Sequence, residues 1–176
     1  SELVPTYRSL LIYYDPMKTS IMKLQDALKK VSSGIDTVQL RKPDVEHIPT
    51  LYGAEYGPDL AFVANDTGFL ELEVIESHSI ATYLVYAMGF SPGFPYLGGL
   101  PEALTTPRLD SPRITIPGGS VGIAENQTGI YPVASPGGWQ LIGRTPLNLF
   151  TPKSDPPTLL NAGDYIRFLP LKTAQE

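Results

Sequence analysis

The segment Gly89–Gly143 reads GFSPGFPYLGGLPEALTTPRLDSPRITIPGGSVGIAENQTGIYPVASPGGWQLIG. It holds eleven of the chain's sixteen glycines and its only Trp. Glycine permits left-handed backbone and close approach, while proline fixes φ and removes a donor. A disordered linker lacks large apolar residues. Here Phe90, Phe94, Tyr96, Leu97, Ile114, Ile116, Val121, Ile123, Ile130, Tyr131, Trp139, Leu141 and Ile142 punctuate the turn formers. Short strands joined by shaped turns around a real core are expected.

Upstream, Thr6–Tyr14 is rich in β-formers and reads as a strand closed by Asp15-Pro16. Thr19 or Ser20 caps a helix to about Val31, with Ile21, Leu24, Ala27, Leu28 and Val31 as its apolar stripe. Gly34 stops it, and Ile35–Leu40 reads as another strand. This β-α-β unit is too small to bury its own faces.

Val45–Tyr52 then reads as a strand, Pro58 opens a helix with Leu60, Phe62 and Val63 inward, and a second helix covers Leu70–Ser77. Ala81–Met88 is a strand. Further strands are expected near Arg113–Pro117, Ser120–Ala124, Gln140–Arg144, Leu147–Phe150 and Tyr165–Leu169, consistent with a barrel.

The chain has 176 residues, a formal net charge of -5 and no cysteine, which excludes disulfides and thiolate metal sites. Between Lys42 and Arg108 there is no Lys or Arg but nine acidic residues. A nucleic-acid binder needs a basic footprint, so that class is not expected. Neither a signal-peptide pattern nor a membrane-length apolar run occurs, and a cytoplasmic protein without a membrane role is expected.

No phosphate loop, dinucleotide fingerprint, HExxH or GxSxG elbow is present. Only His47 and His78 exist, which excludes a histidine-rich metal site but not a carboxylate-dominated one, and no metal site is evident. As a lone histidine, His78 reads by default as a structural hydrogen-bond former. Arg108 and Arg113 sit in a proline-stiffened loop, suited to reading a carboxylate or phosphate or to a salt bridge with Asp110, Glu102 or Glu125. Gly118-Gly119-Ser120 and Pro136-Gly137-Gly138 read as anion nests or as tight turns. Trp139 after Pro-Gly-Gly is either core or the wall of a groove. Gln127, Thr128 and Tyr131 suit an amide-like ligand or cap turns.

Taken together, GFSPGFPYLGGLPE (89–102), TPRLDSPRITIPGGSVGIAENQTGIYPVASPGGWQLIGRT (106–145) and LLNAGDYIRF (159–168) resemble the B subunit of the bacterial ATP-dependent 5-oxoprolinases. YGAEYGPDLAFVA (52–64) and VIESHSIATYLVYAMGF (74–90) match as well, with His78 on the family's histidine. The family was also labelled allophanate hydrolase subunit 1 and includes the kinase inhibitor KipI. The resemblance implies an α+β, mainly β fold: a small N-terminal α+β domain, here a partial one over residues 1–43, and a cyclophilin-like β-barrel over 44–176. The family's initial strand and helix have no counterpart, which makes a truncated chain the expectation. Where many relatives carry glycine, this chain has Glu125, a strained choice if that position needs positive φ.

The resemblance also implies function. The B-type subunit works with a KipA-like C-type subunit and a LamB/YcsF-like A-type subunit to open 5-oxoproline to glutamate with ATP, which the assembled complex uses and this chain alone does not bind. The chain is then a hydrolase subunit, inactive by itself. In that scheme His78, Arg108 and Arg113 are the catalytic candidates, and Ser120, Gln127, Tyr131 and Arg144 contact substrate. The alternatives are a KipI-type inhibitor that docks on a histidine kinase through a groove of Phe94, Pro95 and Trp139, or a subunit of carboxyltransferase or allophanate hydrolase type.

Overall fold

The computed structural model describes residues 2–6, 9–34 and 44–171. The chain divides into two compact units, Ser1–Pro43 and Asp44–Glu176. In the first, β1 (Glu2–Pro5) and β2 (Leu10–Tyr13) pair antiparallel, with Glu2 opposite Tyr13 and Pro5 opposite Leu10. The single strand expected over Thr6–Tyr14 is instead the second arm of a hairpin, and its first residue belongs to the turn. Thr6 N–H donates to the Ser9 carbonyl at 2.8 Å, and the two hydroxyls lie 2.6 Å apart. Hydroxyl side chains that bond locally in this way favour turns over ladders. Helix α1 (Ile21–Ser32) begins at Ser20, whose Oγ accepts from Lys23 N–H at 3.4 Å, the N-cap role expected of serine. The strand expected at Ile35–Leu40 lies outside the described residues.

The second unit runs β3 (Val45–Tyr52), α2 (Leu60–Thr67), α3 (Glu71–Ile80), β4 (Tyr83–Met88), β5 (Pro95–Gly98), a 3-10 turn (Glu102–Leu104), β6 (Arg113–Ile116), β7 (Ser120–Ala124), β8 (Gln127–Ile130), β9 (Ser135–Gly137), β10 (Gln140–Arg144) and β11 (Tyr165–Pro170). Seven strands close into a barrel in the order β10-β3-β11-β4-β5-β8-β7. The unit's first and last strands, β3 and β11, lie side by side and parallel, while the other barrel pairs are antiparallel. The fold is mainly β, with three α-helices among the described residues, as expected. No helix among the described residues is long and apolar enough to cross a membrane.

The barrel wall separates two apolar cores. Along a strand, successive side chains point to opposite faces. In β7, Val121 and Ile123 join the larger core with Ile130, Ile142, Ile166 and Phe168, whereas Ala124 joins a smaller one with Phe94, Ile116, Tyr131, Trp139 and Leu141. All five residues of β7 are buried, so its sequence shows no polar alternation. The ribbon β6–β9 carries Ile116 into the smaller core.

Helices α2 and α3 add Leu60, Val63, Ala64 and Val74 to the larger core. Phe62, expected inward, is 47% exposed. The 3.6-residue period that turns Leu60, Val63 and Ala64 toward the barrel turns Phe62 away. Leu147–Phe150 is apolar but forms no strand; only Phe150 makes an isolated bridge, to Thr158. Leu147 and Leu149 are used for core packing instead.

Candidate functional site

His78 sits on α3 and is fully buried. Its Nδ1 lies 2.8 Å from the Tyr52 hydroxyl and its Nε2 3.0 Å from Thr128 Oγ1. Thr128 spends its one proton on the Gly122 carbonyl at 3.0 Å, so it accepts from His78. His78 therefore carries its proton on Nε2, and Nδ1 accepts from Tyr52. Tyr83 donates to the His78 carbonyl at 2.7 Å, and Phe168 lies against the imidazole with ring centroids 4.5 Å apart. Burial pushes the imidazole pKa down from 6.5 to about 3 and raises the Tyr52 hydroxyl well above its usual value, with Tyr83 adding to the effect. A neutral ring with both nitrogens occupied and no exposed surface is a core hydrogen-bond relay, the default role of a lone histidine, and the proton-transfer role that the resemblance implied does not fit this position.

Arg113 on β6 is also occupied. Its Nη2 donates to Asp59 Oδ1 at 2.7 Å, and its Nη1 reaches the Trp139 carbonyl at 3.4 Å. Asp59, buried just before α2, accepts Leu141 N–H on Oδ2 at 2.6 Å and donates its own N–H to the Leu141 carbonyl at 2.9 Å. The ion pair thus ties the ribbon to β10 and the start of α2. The partner is Asp59 and none of the acidic residues expected, and a guanidinium so engaged is a clamp. The reading of Arg113 as a holder of substrate carboxylate does not fit this pairing.

Arg108 differs. Its neighbours are fixed: Gln140 Nε2 donates to the Pro107 carbonyl at 3.0 Å, and Leu109 N–H donates to the Gly138 carbonyl at 2.8 Å. The side chain itself is exposed, and no ion pair holds it among the described residues. It lines a cavity of about 150 Å³ with Phe90, Phe94, Tyr96, Tyr131, Gly137, Gly138 and Trp139. No carboxylate lines that cavity.

The aromatic walls brace one another. Phe94 packs edge-to-face on Tyr96, Tyr131 and Trp139, with ring centroids 4.9, 5.2 and 5.6 Å apart. Two glycines permit this closeness. A Cβ at Gly137 would meet the Tyr131 hydroxyl and Ile116 Cδ1, and one at Gly129 would stand 2.9 Å from Phe94 Cζ and 3.0 Å from Trp139 Cζ3. Burial raises the Tyr131 pKa to about 12, although the Trp139 backbone, Arg108 and Arg113 pull the other way. Tyr131 is therefore a neutral hydroxyl at working pH. The cavity offers one free cation and otherwise neutral, apolar or hydroxylic surface. That set suits a small carboxylate with an uncharged flat body.

Of the residues singled out in the sequence, Arg108, Tyr131, Phe94 and Trp139 meet here. The small-molecule wall and the groove expected to hold a partner are one site. Pro95 is buried in β5 opposite Met88 and does not line the cavity. Gln127 stands in the β7–β8 hairpin, outside the lining. Ser120 and Arg144 face each other across β7 and β10. Ser120 Oγ and Arg144 Nε are buried without partners, and the Arg144 guanidinium lies 5.7 Å from the Tyr56 ring centroid. Neither lines the cavity. Of the two readings of Gly118-Gly119-Ser120, the tight turn holds: Gly119 and Ser120 N–H donate to the Tyr131 and Pro117 carbonyls and are not free for an anion. Phe90 and Tyr96 were missed as site residues, although Phe90-x-x-x-Phe94-x-Tyr96 spaces three aromatics within one turn and strand.

Among the described residues, no group of three or more His, Asp or Glu could hold a metal ion. The cavity lies below the ~300 Å³ at which pockets for drug-sized ligands begin, too small for a nucleotide.

A family model described as carboxyltransferase domain, subdomain C and D, matches residues 1–160. A Bacillus subtilis protein named as the B subunit of 5-oxoprolinase is 43% identical over 182 residues, covering 96% of this chain and 74% of that protein. An Escherichia coli O157:H7 protein of the same name is 50% identical over 149 residues, covering 84% of this chain and 68% of that one. The crystal structure of a conserved uncharacterized protein from Pyrococcus horikoshii superposes with a TM-score of 0.72 at 48% identity, covering 97% of this chain and 78% of that chain. With a family model spanning most of its length and curated relatives at this identity, the chain belongs to the carboxyltransferase domain family, subdomains C and D, alongside the 5-oxoprolinase B subunits.

Proposed function

We propose that this chain is the B subunit of an ATP-dependent 5-oxoprolinase, inactive alone, which helps convert 5-oxoproline to glutamate together with A-type and C-type subunits. The observation that carries this reading is the cavity itself: one unpaired guanidinium against neutral aromatic walls, in a chain whose curated relatives are named for that enzyme. 5-Oxoproline is an uncharged lactam ring, flattened by its planar amide, bearing one carboxylate. Arg108 takes the carboxylate through a charge-assisted hydrogen bond, and Phe94, Tyr96 and Trp139 enclose the ring. The Tyr131 hydroxyl is the polar group available to the lactam amide.

The lactam is resonance-stabilised and a poor electrophile. ATP, bound by the assembled complex, supplies the activation of its carbonyl. This chain orients the ring and excludes water from one side, which accounts for a site without general acid or base. The partner subunits complete the machinery.

The test is reconstitution of the full-length protein with A-type and C-type subunits, following glutamate formation from 5-oxoproline and ATP. All three are required on this reading, and an unchanged rate when the B-type protein is omitted overturns it. Arg108→Ala lowers kcat/KM by about a hundredfold while the fold is retained, as expected for loss of a charged hydrogen bond to substrate.

A further inference from the structure

Phe90 is the anomaly of the cavity. It is a bulky residue with φ +62°, in the left-handed region that favours glycine. The residue is 60% exposed, so burial does not explain a phenylalanine there. Three backbone hydrogen bonds hold the turn: Gly89 N–H to the Phe94 carbonyl at 3.1 Å, Ser91 N–H to the Gly89 carbonyl at 2.7 Å and Phe94 N–H to the Ser91 carbonyl at 3.0 Å. The turn therefore fixes Phe90 where a glycine would sit without strain. Strain that the surroundings over-determine, at the edge of a cavity, points to a functional constraint. The ring packs edge-to-face on Phe94 and Tyr131, with centroids 5.4 and 6.2 Å away, and lines the cavity beside Arg108.

We infer that Phe90 is the lid of the aromatic cavity and sets its selectivity, covering a flat, uncharged ring whose carboxylate Arg108 holds. The inference rests on the 5-oxoproline reading for the identity of that ring, but its physical content is separate. Beyond its edge contacts with Phe94 and Tyr131, the exposed ring gains further apolar contact when a ring fills the cavity beneath it. A saturated ring with a protonated amine, such as proline, fits poorly. It is puckered, and its ammonium finds no carboxylate in the lining and stands near Arg108.

Trp139, the chain's only Trp, lines the cavity, so its fluorescence reports occupancy directly. The full-length protein is titrated with 5-oxoproline, furan-2-carboxylate (a flat ring carboxylate without a lactam) and proline. The expected result is a saturable change in Trp139 emission with 5-oxoproline and little with proline. Phe90→Ala and Phe90→Gly each raise Kd about tenfold, the size of one good aromatic contact, and Phe90→Tyr restores binding. Phe90→Gly also melts at a higher temperature than Phe90→Ala, because only glycine relieves the positive φ. Binding of 5-oxoproline with the same Kd in all variants overturns the lid and leaves the oxoprolinase reading standing. Binding of furan-2-carboxylate alone, weakened by loss of Phe90, supports the lid and overturns the lactam. Emission unmoved by any ligand overturns the lid outright.

Discussion

Two aromatic neighbourhoods share the barrel wall. Around His78, inside the barrel, Tyr52, Tyr83, Phe168 and Thr128 form a sealed cluster in which the imidazole's two nitrogens, its carbonyl and the Thr128 hydroxyl all have partners. Around Trp139, outside the barrel, Phe90, Phe94, Tyr96 and Tyr131 form a cluster of similar composition that stays open and keeps one cation unpaired. Composition does not separate the two, but satisfaction does. A buried polar group with every bond made contributes stability and rigidity. A charged group held by its backbone yet left without a partner is available to a ligand.

The sharpest way to break this contrast is to open the sealed side. His78→Ala removes a ring from a packed core and leaves the Tyr52 and Thr128 hydroxyls short of a partner. A loss of about 3–4 kcal/mol in unfolding free energy is expected, measured by denaturant titration. A pH series tests the same residue in the wild-type protein. With a folded pKa near 3 against 6.5 for the free side chain, the unfolded chain takes up the proton first. This component of stability is complete above pH 6.5 and drains as pH falls toward 3, by about 1.4 kcal/mol per pH unit. A His78→Gln variant lacks that slope. An acid limb identical in the two proteins would show that His78 is not buried neutral.

The arginine pair sharpens the contrast next. Arg113→Ala strips the partner from Asp59, a nearly buried carboxylate, and is expected to cost about 2 kcal/mol of stability. Arg108→Ala leaves the melting temperature unchanged and abolishes the ligand response of Trp139. Equal thermal shifts in the two variants would mean that Arg108, too, is part of the scaffold.

Legibility of the sequence followed locality. β3, β7 and β10 appeared with their observed bounds because turn formers flank each run: Gly53 follows β3, Gly118-Gly119 precedes β7 and Gly137-Gly138 lies just before β10. β5 and β8 did not, since Pro95, Gly98 and Gly129 count against a strand. Tertiary packing overrides that preference: a Cβ at Gly129 would crowd Phe94, the Pro95 carbonyl and Trp139. At the site, Arg108 was visible as a cation in a proline-stiffened loop. The occupation of Arg113 was not, because Asp59 lies 54 residues away. The partners of His78 lie 26 and 50 residues away. No spacing rule reaches across such distances.

The smallest expected effect concerns a residue outside both neighbourhoods. Glu125 is the first of two residues joining β7 to β8 and has φ +54°. Glycine occupies such a position without strain, whereas glutamate does not. Its backbone is held from both sides: Glu125 N–H donates to the Thr106 carbonyl at 2.7 Å, and Thr106 N–H donates back at 3.3 Å. The bridge anchors the segment that leads to Arg108. Two outcomes of Glu125→Gly follow, and they separate. Relief of the left-handed strain is expected to stabilise the fold by about 1 kcal/mol, measured as a rise in the denaturation midpoint. The Thr106 bridge uses only backbone atoms and survives the change, so ligand affinity at Arg108 is expected to stay the same. A more stable protein with unaltered binding makes Glu125 a tolerated local strain. A more stable protein that binds less well would instead mean that its carboxylate helps to place the Arg108 loop, and the cavity's electrostatics would then extend to a group beyond its lining.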